Sequence, residues 1–330
     1  MTYSTKEFTN FKVQACIDWI DLEFDLGRPT QFQWVQREVR RILHLSDADV
    51  DLYVKPINPG PGNVTNRFVI RFHDAEANRI NKLANLSRRL ADAFEGLAQP
   101  VLIHAIEVAM DFYPRDPSAD CLNLTQRLQM TLEAQGNPRQ YDPVLGNFYL
   151  VNQASGMTDP SMNLRVGNKK DPISRQVYYK TTDSKPISAD QFRARAEFTL
   201  RGEALETFGL TTLKNLDGFK FQVLAKLLHF RRLKPLHEIS DGKNRPFHHV
   251  IQKSFNPEVT PLCVFPTGWK VHRKDSRSGL PREGARLALT HNRHSITNDV
   301  LNRLIRKKLT ALTKRFAAVN RDRKLLEDLM

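Results

Sequence analysis

The feature that most constrains the fold of this chain is the order of its strand-like and helix-like segments. In roughly the first third of the sequence, apolar runs with a period of two alternate with segments whose apolar residues recur every three or four positions. The order is strand, helix, strand, strand, helix, strand. The strands are expected at Ala15–Leu26, Val50–Lys55, Arg67–Phe72 and Pro100–Phe112. The first helix is opened by Pro29-Thr30, and the second is expected at Asp74–Gly96. We therefore expect an α+β fold built on an antiparallel sheet.

This order predicts the split βαβ arrangement of ferredoxin-like and RNA-recognition domains, a four-stranded antiparallel sheet with two helices on one face. Further elements should elaborate this core: strands at Arg175–Thr181 and Arg193–Leu200, a helix at Leu122–Ala134, an irregular segment at Gln135–Pro160, and mainly helical segments at Glu203–Leu236 and Ile296–Leu329. We predict two domains, residues 1–210 with the sheet and residues 211–330 as a mainly helical, basic region.

The charge of the chain indicates a polyanionic partner. Its 50 Lys and Arg against 36 Asp and Glu give a net charge of +14. Residues 267–330 hold 16 Lys and Arg and 6 Asp and Glu, so +10 of this charge lies at the C-terminal end. Neutralising phosphates releases counterions and gives affinity without sequence readout. Nucleic acid is therefore the expected partner.

The sequence predicts a cytoplasmic protein. No apolar run approaches the roughly 20 residues that span a bilayer, and the N-terminal residues lack a basic segment followed by an apolar one. The three cysteines, Cys16, Cys121 and Cys263, are far apart and odd in number. A disulfide framework or a cysteine zinc site is thus not expected, and a reducing compartment fits.

Two acidic residues, Glu107 and Asp111, interrupt an otherwise apolar strand in IHAIEVAMDF. Residues two and four apart on a strand share a face, so the two carboxylates should lie together. Burying unpaired acids is costly, and Mg²⁺ and Mn²⁺ prefer such oxygen ligands. The alternatives are a solvated sheet face or salt bridges to Arg165 or Arg195.

Two further motifs lie on the strands around residues 175–200. In Arg195-Ala196-Glu197 the charged residues share a face, which is also what an ordinary cross-strand ion pair would require. In Tyr178-Tyr179-Lys180 the tyrosines point to opposite faces, and Lys180 shares its face with Tyr178. A tyrosine needs a metal, base or cation to act as a nucleophile, so this parity favours Tyr178. The alternative is that both tyrosines only stabilise the sheet.

These stretches together resemble the rolling-circle replication initiation (Rep) family of plasmids and filamentous phages, in the type that uses carboxylates rather than a histidine pair. The matching segments, from about Ala15 to Gly209, are CIDWIDLEF, IEVAMDF, LRVGNKKDPISRQVYYK and RARAEFTLRG. The family's acidic strand usually reads Arg-hydrophobic-Asp-x-x-x-Asp. Here Ala105 replaces the arginine and Glu107 the first aspartate. The chain contains no GxxxxGK phosphate loop, so an ATP motor is not indicated.

The resemblance implies an origin-specific DNA-nicking and strand-transfer enzyme. Glu107, Asp111 and Glu197 would hold Mg²⁺ or Mn²⁺, without a preference between the two. Tyr178, with Tyr179 as the alternative nucleophile, would attack a phosphodiester, leaving a 5′-phosphotyrosine and a free 3′-OH that primes rolling-circle replication. Lys180 would neutralise the phosphate or lower the tyrosine pKa. Residues 1–210 would form the nicking domain and residues 211–330 a DNA-binding region.

The expected partner is origin DNA, duplex overall and single-stranded at the nick. A host helicase and polymerase and a second copy of the chain are further candidate partners, in the cytoplasm of a bacterial host beside its replicon. The basic residues expected to contact DNA are Arg165, Lys169, Lys170, Arg175, Arg195, Lys270, Arg273, Lys274, Arg306, Lys307 and Lys308.

Two other functions compete with the nickase. A non-enzymatic or regulatory nucleic-acid-binding protein would use the sheet as a platform and the basic C-terminal helices as an anchor. The sheet lacks the exposed aromatic signature of RNA-recognition domains, which argues against that alternative. A structural assembly protein with an adventitious basic helix would show no salt-sensitive retention of DNA.

Overall fold

The computed structural model describes residues 7–44, 53–73, 86–116, 119–133, 138–142, 147–150, 163–183, 185–233, 273–274, 281–282 and 295–327. Among the helices in these ranges, none combines the length and the apolar content needed to cross a bilayer.

The strands of the described residues are β1 (Phe11–Gln31), β2 (Tyr53–Pro56), β3 (Val64–His73), β4 (Leu102–Pro114), β5 (Leu132–Glu133), β6 (Pro138–Asp142), β7 (Asn147–Leu150), β8 (Asn163–Val166), β9 (Ile173–Lys180), β10 (Thr182–Asp183), β11 (Lys185–Pro186), β12 (Arg193–Arg201), β13 (His229–Leu233), β14 (Arg273–Lys274), β15 (Pro281–Arg282) and β16 (Ser295–Thr297). The α-helices are α1 (Phe32–Leu43), α2 (Cys121–Thr131), α3 (Glu203–Phe208) and α4 (Asp299–Glu327), and residues 86–93 are also helical. Short 3-10 turns lie at Glu7–Asn10, Pro61–Asn63, Ala189–Gln191, Leu213–Leu216 and Phe221–Leu227.

One large antiparallel sheet organises the described part of the chain. Its strand order is β2-β3-β1-β4-β12-β9-β8-β6-β7. The first four strands, together with α1 and the helical residues 86–93, have the expected order of strand, helix, strand, strand, helix, strand. The α+β class and the antiparallel sheet are therefore confirmed. The strands that carry the candidate site, β1, β4, β12 and β9, are neighbours in the middle of the sheet.

The two faces of this sheet differ chemically because side chains alternate along each strand. On β4, Ile106, Val108 and Met110 are fully buried in the hydrophobic core, whereas Glu107 and Asp111 point to the other face. The core also takes in residues of the helices, among them Leu124 and Leu128 of α2 and Ile305 and Leu309 of α4. The opposite, polar face carries the charged residues of the central strands.

The C-terminal helix α4 packs against the same core as the sheet. Its buried residues Leu301, Ile305, Leu309 and Leu312 belong to that core. The Thr313 hydroxyl accepts a hydrogen bond of 2.9 Å from the backbone N–H of Phe221, and Arg315 donates to the backbone carbonyl of Ala15. The division of the chain at residue 210 stays a prediction.

Two segments differ from the sequence-based expectation. Residues 135–160 were expected to be irregular, but β6 and β7 pair within them and extend the sheet. Residues 229–233 were expected to be helical, but β13 pairs with β5 and β16. Phe230 is fully buried there, and both its backbone N–H and its carbonyl bond to the side chain of Asn302. Tertiary packing thus overrides the local helical pattern.

Candidate active site

A β-bulge in β1 places Asp18 and Trp19 together on the polar face. The pairing of β1 with β4 skips from Ile17 to Trp19, so Asp18 is an extra residue in the strand. A bulge of this kind bends the strand and re-aims a side chain. Ile17 and Ile20 are accordingly both buried in the core although they are three residues apart. Asp18 is thereby brought close to Glu107.

Three carboxylates converge on this face from three adjacent strands. One carboxylate oxygen from each of Asp18 on β1, Glu107 on β4 and Glu197 on β12 lies within 4.8 Å of the others. Glu107 accepts a hydrogen bond of 2.7 Å from the Thr199 hydroxyl and another from the Trp19 side chain. Burial, followed by the charge of Glu107, raises the pKa of Glu197 well above its ordinary value. Burial also raises the pKa of Glu107, with a further contribution from the charge of Asp18.

Tyr178 lies beside these carboxylates, and Tyr179 does not. The Tyr178 hydroxyl donates a hydrogen bond of 3.1 Å to Oε2 of Glu197. Burial and the Glu197 charge raise the pKa of Tyr178 well above its ordinary value. Tyr179 points to the other face, where its ring packs edge-on against Phe192 at a centroid distance of 5.8 Å. The expected separation of the two tyrosines by strand parity is therefore present.

Asp111, which the sequence predicts as a metal ligand, lies in a buried ion pair. Arg195 Nε and Nη2 donate to its two oxygens at 2.5 and 2.6 Å, and Arg193 Nε lies 3.2 Å from Oδ1. Burial works to raise the pKa of Asp111, but its hydrogen bonds to Arg195 lower it overall. Arg195 also donates to Asp18. The third carboxylate of the described site is thus Asp18, which the sequence did not single out, and not Asp111.

Lys180 adds positive charge on the same face. Its Nζ lies 3.8 Å from Oδ1 of Asp18 and 2.9 Å from Oδ1 of Asp183. On the paired strand it lies opposite Arg193. Lys180 is buried at the end of β9, so its charge acts in a partly desolvated environment on the strand that also carries Tyr178.

The basic residues predicted near the site are divided between the two faces. Arg165 is half-buried, donates to Gln176 Oε1, and lies within electrostatic reach of Glu197 and Glu107. Arg175 pairs with Phe198 on the apolar face and donates from Nε to the carbonyl of Leu227 at 2.7 Å. Arg165 is therefore at the candidate site, and Arg175 is not.

Five of the remaining residues predicted to contact DNA lie outside the strands that carry the carboxylates. Lys169 and Lys170 are exposed in the turn between β8 and β9. On α4, Arg306 and Lys307 are exposed, and burial lowers the pKa of the half-buried Lys308. Three residues remain: Arg273 and Lys274 form β14, but their side chains lie outside the described structure, and Lys270 is outside the described residues altogether.

The donor set fits a hard divalent cation. Asp111 and Asp18 face the guanidinium of Arg195, which offsets their charge. Glu107 and Glu197 have mainly neutral hydrogen-bond donors instead, and Arg195 Nη1 is 4.0 Å from Glu197. Buried carboxylates this close require protons or a cation. Oxygen ligands from Asp and Glu are the type that Mg²⁺ and Mn²⁺ take.

Comparison with known proteins gives similarities to solved structures. The chain matches no protein-family profile, and no curated protein sequence is similar to it. Four chains of solved structures match. One is a rolling circle replication initiator protein from Geobacillus stearothermophilus, with a TM-score of 0.34, 15% sequence identity, and coverage of 71% of this chain and 91% of that chain. This is a similarity to that protein and does not assign its activity to this chain.

Proposed function

We propose that this protein is a replication initiator that nicks one strand of its origin DNA by attack of Tyr178. The observation that carries the proposal is the hydrogen bond from the Tyr178 hydroxyl to Glu197, one of the three carboxylates that could hold a metal. The same residues occupy the motifs that resemble the rolling-circle initiator family.

Each residue of the site then has a chemical role. Asp18, Glu107 and Glu197 would hold Mg²⁺ or Mn²⁺, which when bound would polarise a phosphodiester oxygen and stabilise transition-state charge. Glu197 orients the Tyr178 hydroxyl and is placed to accept its proton. The tyrosine oxygen bonds to phosphorus, the bond to the 3′ oxygen breaks, and that oxygen takes a proton from water. The products are a 5′-phosphotyrosine and a 3′-OH.

Positive charge around the tyrosine supports phosphate binding. Lys180 shares its face, and Arg165 lies near Glu197 and Glu107. These charges offset the phosphate that must approach three carboxylates. Origin DNA is the proposed substrate, and a host helicase and polymerase are proposed partners in the replication that follows.

The decisive experiment uses supercoiled DNA of the protein's own replicon, with Mg²⁺ or Mn²⁺ against EDTA. We expect metal-dependent open circles that carry covalently attached protein with the wild type and with Tyr179→Phe, and none with Tyr178→Phe. Tyr179→Phe is the matched control because it removes the same atom from the other face of β9. Nicking that survives in Tyr178→Phe would refute the assigned nucleophile. Tight binding without cutting under either metal would instead support a non-enzymatic DNA-binding protein.

A further inference from the structure

Arg201 extends the polar face beyond the three carboxylates. It is the last residue of β12 and shares its strand parity with Arg195 and Glu197. Across the sheet it pairs with Ala105 of β4. Its guanidinium lies within electrostatic reach of Glu107, so the end of β12 belongs to the surroundings of the candidate site.

The Arg201 side chain is positioned by an aromatic ring. Its guanidinium carbon lies 5.5 Å from the ring centroid of Trp19, and that of Arg71 lies 3.8 Å from the same centroid. Cations over an aromatic face are held by the ring's negative potential. The Trp19 side chain also donates a hydrogen bond to Glu107. Trp19 therefore connects both arginines to the carboxylate group.

The two arginines differ in their hydrogen bonding. Arg71 is neutralised by Asp21, to which its Nε and Nη2 donate at 2.7 and 2.8 Å. The Nη1 of Arg201 is buried and has no hydrogen-bond partner among the described residues. A buried donor on a charged group is costly to leave unpaired. Glu107 and Asp21 lie within electrostatic reach of Arg201, as do Arg71 and Arg165. None of these four residues hydrogen-bonds to Nη1, so an oxygen acceptor is the partner that this guanidinium lacks.

We propose that Arg201 is a phosphate-binding residue, whose half-buried side chain donates to a phosphodiester oxygen of a single DNA strand lying across the polar face. Arginine suits this role because its planar donors match phosphate oxygens. Four residues of strand separate Arg201 from Glu197, which corresponds to about 13 Å. The phosphate it binds is therefore one that flanks the reacting phosphate. This inference takes its substrate class, single-stranded DNA, from the proposed function.

The test measures binding without cutting. Fluorescence anisotropy in EDTA would give the affinity of the full chain for a labelled oligothymidylate and for the same oligonucleotide with uncharged methylphosphonate linkages. The variants are Arg201→Gln, Arg201→Lys and the control Arg41→Gln, which removes an equal charge from an exposed site on α1. We expect Arg201→Gln to weaken binding about tenfold and to reduce the slope of log affinity against log salt by about 0.7. Arg41→Gln should change neither quantity. The affinity of Arg201→Lys should lie between those of the wild type and Arg201→Gln.

Thermal unfolding separates phosphate binding from a structural role. Since Nη1 has no partner, Arg201→Gln should unfold at the same temperature as the wild type or higher. With the methylphosphonate oligonucleotide, the wild type and Arg201→Gln should bind equally weakly. Unchanged affinity and salt slope in Arg201→Gln would overturn the inference, as would a lowered unfolding temperature with unchanged binding. A wild type that fails to bind the charged oligonucleotide would overturn it as well.

The failure of nicking is a separate outcome. If the wild type binds but never cuts, the proposed reaction is lost, while the Arg201 comparison still decides the binding site. If nicking proceeds and Arg201→Gln has the wild-type KM, only the phosphate assignment fails. A raised KM with an unchanged kcat is the result expected for a flanking phosphate.

Discussion

Arg195 holds Asp111 through two parallel hydrogen bonds, from Nε to Oδ1 at 2.5 Å and from Nη2 to Oδ2 at 2.6 Å. Both residues are 2% exposed, so this pair lies in the interior of the polar face. Arg195 also reaches Asp18. The pair therefore fixes the strand that carries Glu197 against the strands that carry Asp18 and Glu107. We therefore propose that Asp111 supports the site through Arg195 and that Asp18 is the third metal ligand.

Replacing Asp111 with Asn should destabilise the protein strongly and spare the metal. The variant removes one of the two carboxylates that compensate the buried Arg195 charge and leaves Asp18 as the other. Breaking a buried pair costs about 3–5 kcal/mol of the free energy of unfolding, and we expect the lower end of this range. Urea denaturation would measure this loss. Under conditions where the variant is folded, isothermal calorimetry should give a Mn²⁺ affinity close to that of the wild type.

The matched variant Asp18→Asn should weaken Mn²⁺ binding by about 100-fold, since loss of even a supporting residue can cost 10–100-fold in metal affinity. The opposite result, with Mn²⁺ lost in Asp111→Asn and retained in Asp18→Asn, would restore Asp111 as the ligand that the sequence predicts.

Mn²⁺ should stabilise the protein more as the pH rises. Glu107 and Glu197 have raised pKa values in the folded protein. The folded protein therefore retains protons at pH values where the same residues of the unfolded chain, with a pKa of about 4.3, have lost them. Without metal, the free energy of unfolding falls as the pH rises from about 4.3 towards the raised pKa values of the folded protein. Metal binding requires the deprotonated form. At a concentration of 100 times Kd, the metal should add about 2.7 kcal/mol.

Differential scanning fluorimetry at acidic and mildly alkaline pH, with Mn²⁺ and with EDTA, would test this dependence. Glu197→Gln is the control, because it removes one ligand and its titration together. A metal-induced shift of the same size in Glu197→Gln, or a shift that shrinks with rising pH, would contradict the assignment.

Replacing Arg165 should weaken DNA binding, whereas replacing Arg175 should not. Arg165→Gln removes a charge beside the carboxylates and should lower the affinity for single-stranded DNA and its salt dependence. Arg175→Gln should leave the affinity unchanged but cost about 1–3 kcal/mol of stability, because the Leu227 carbonyl loses its donor. Anisotropy titrations and urea denaturation of both variants would measure this. Equal losses of affinity would show that the face of the sheet on which an arginine lies does not decide whether it contacts DNA.

The exposed positive charge of α4 should act on duplex DNA. Replacing Arg306 and Lys307 together with Gln should reduce the salt slope for duplex binding by up to about 1.8, or about 0.9 per phosphate contact. The packing of α4 against the hydrophobic core should be unaffected, because its buried residues there include Ile305 and Leu309 and not the two replaced residues. The control is Arg41→Gln, and unchanged salt dependence in the double variant would remove α4 from the DNA interface.

The order of secondary structure could be predicted because its signals are local. Period-two runs and helical spacing between Ala15 and Phe112 were sufficient for the central α+β core. The parity of Tyr178, Tyr179 and Lys180 on β9 followed from the same alternation. The hairpin of β6 and β7 was missed because its segment is rich in turn-forming residues, and its strands are short.

Asp18 was missed because its position depends on a pairing register that the sequence does not show directly. The apolar positions of β1 change phase between Ile17 and Ile20, and this change was the signal of the bulge. Arg201 was missed for a similar reason. The sequence shows Ala105 where the family motif has arginine, but only the register reveals that Arg201 lies across from Ala105.

The candidate site draws single residues from β1, β4, β12 and β9, which are distant in sequence and adjacent in the sheet. Such a site exists only after the long-range pairings have formed, and these pairings are the slow steps of folding. Fraying of exposed loops leaves its geometry intact, since central strands open at a much higher free energy than loops do. A fragment that lacks any one of the four strands would therefore lose the candidate site entirely, and a nascent chain could not assemble this site before β12 had emerged and paired.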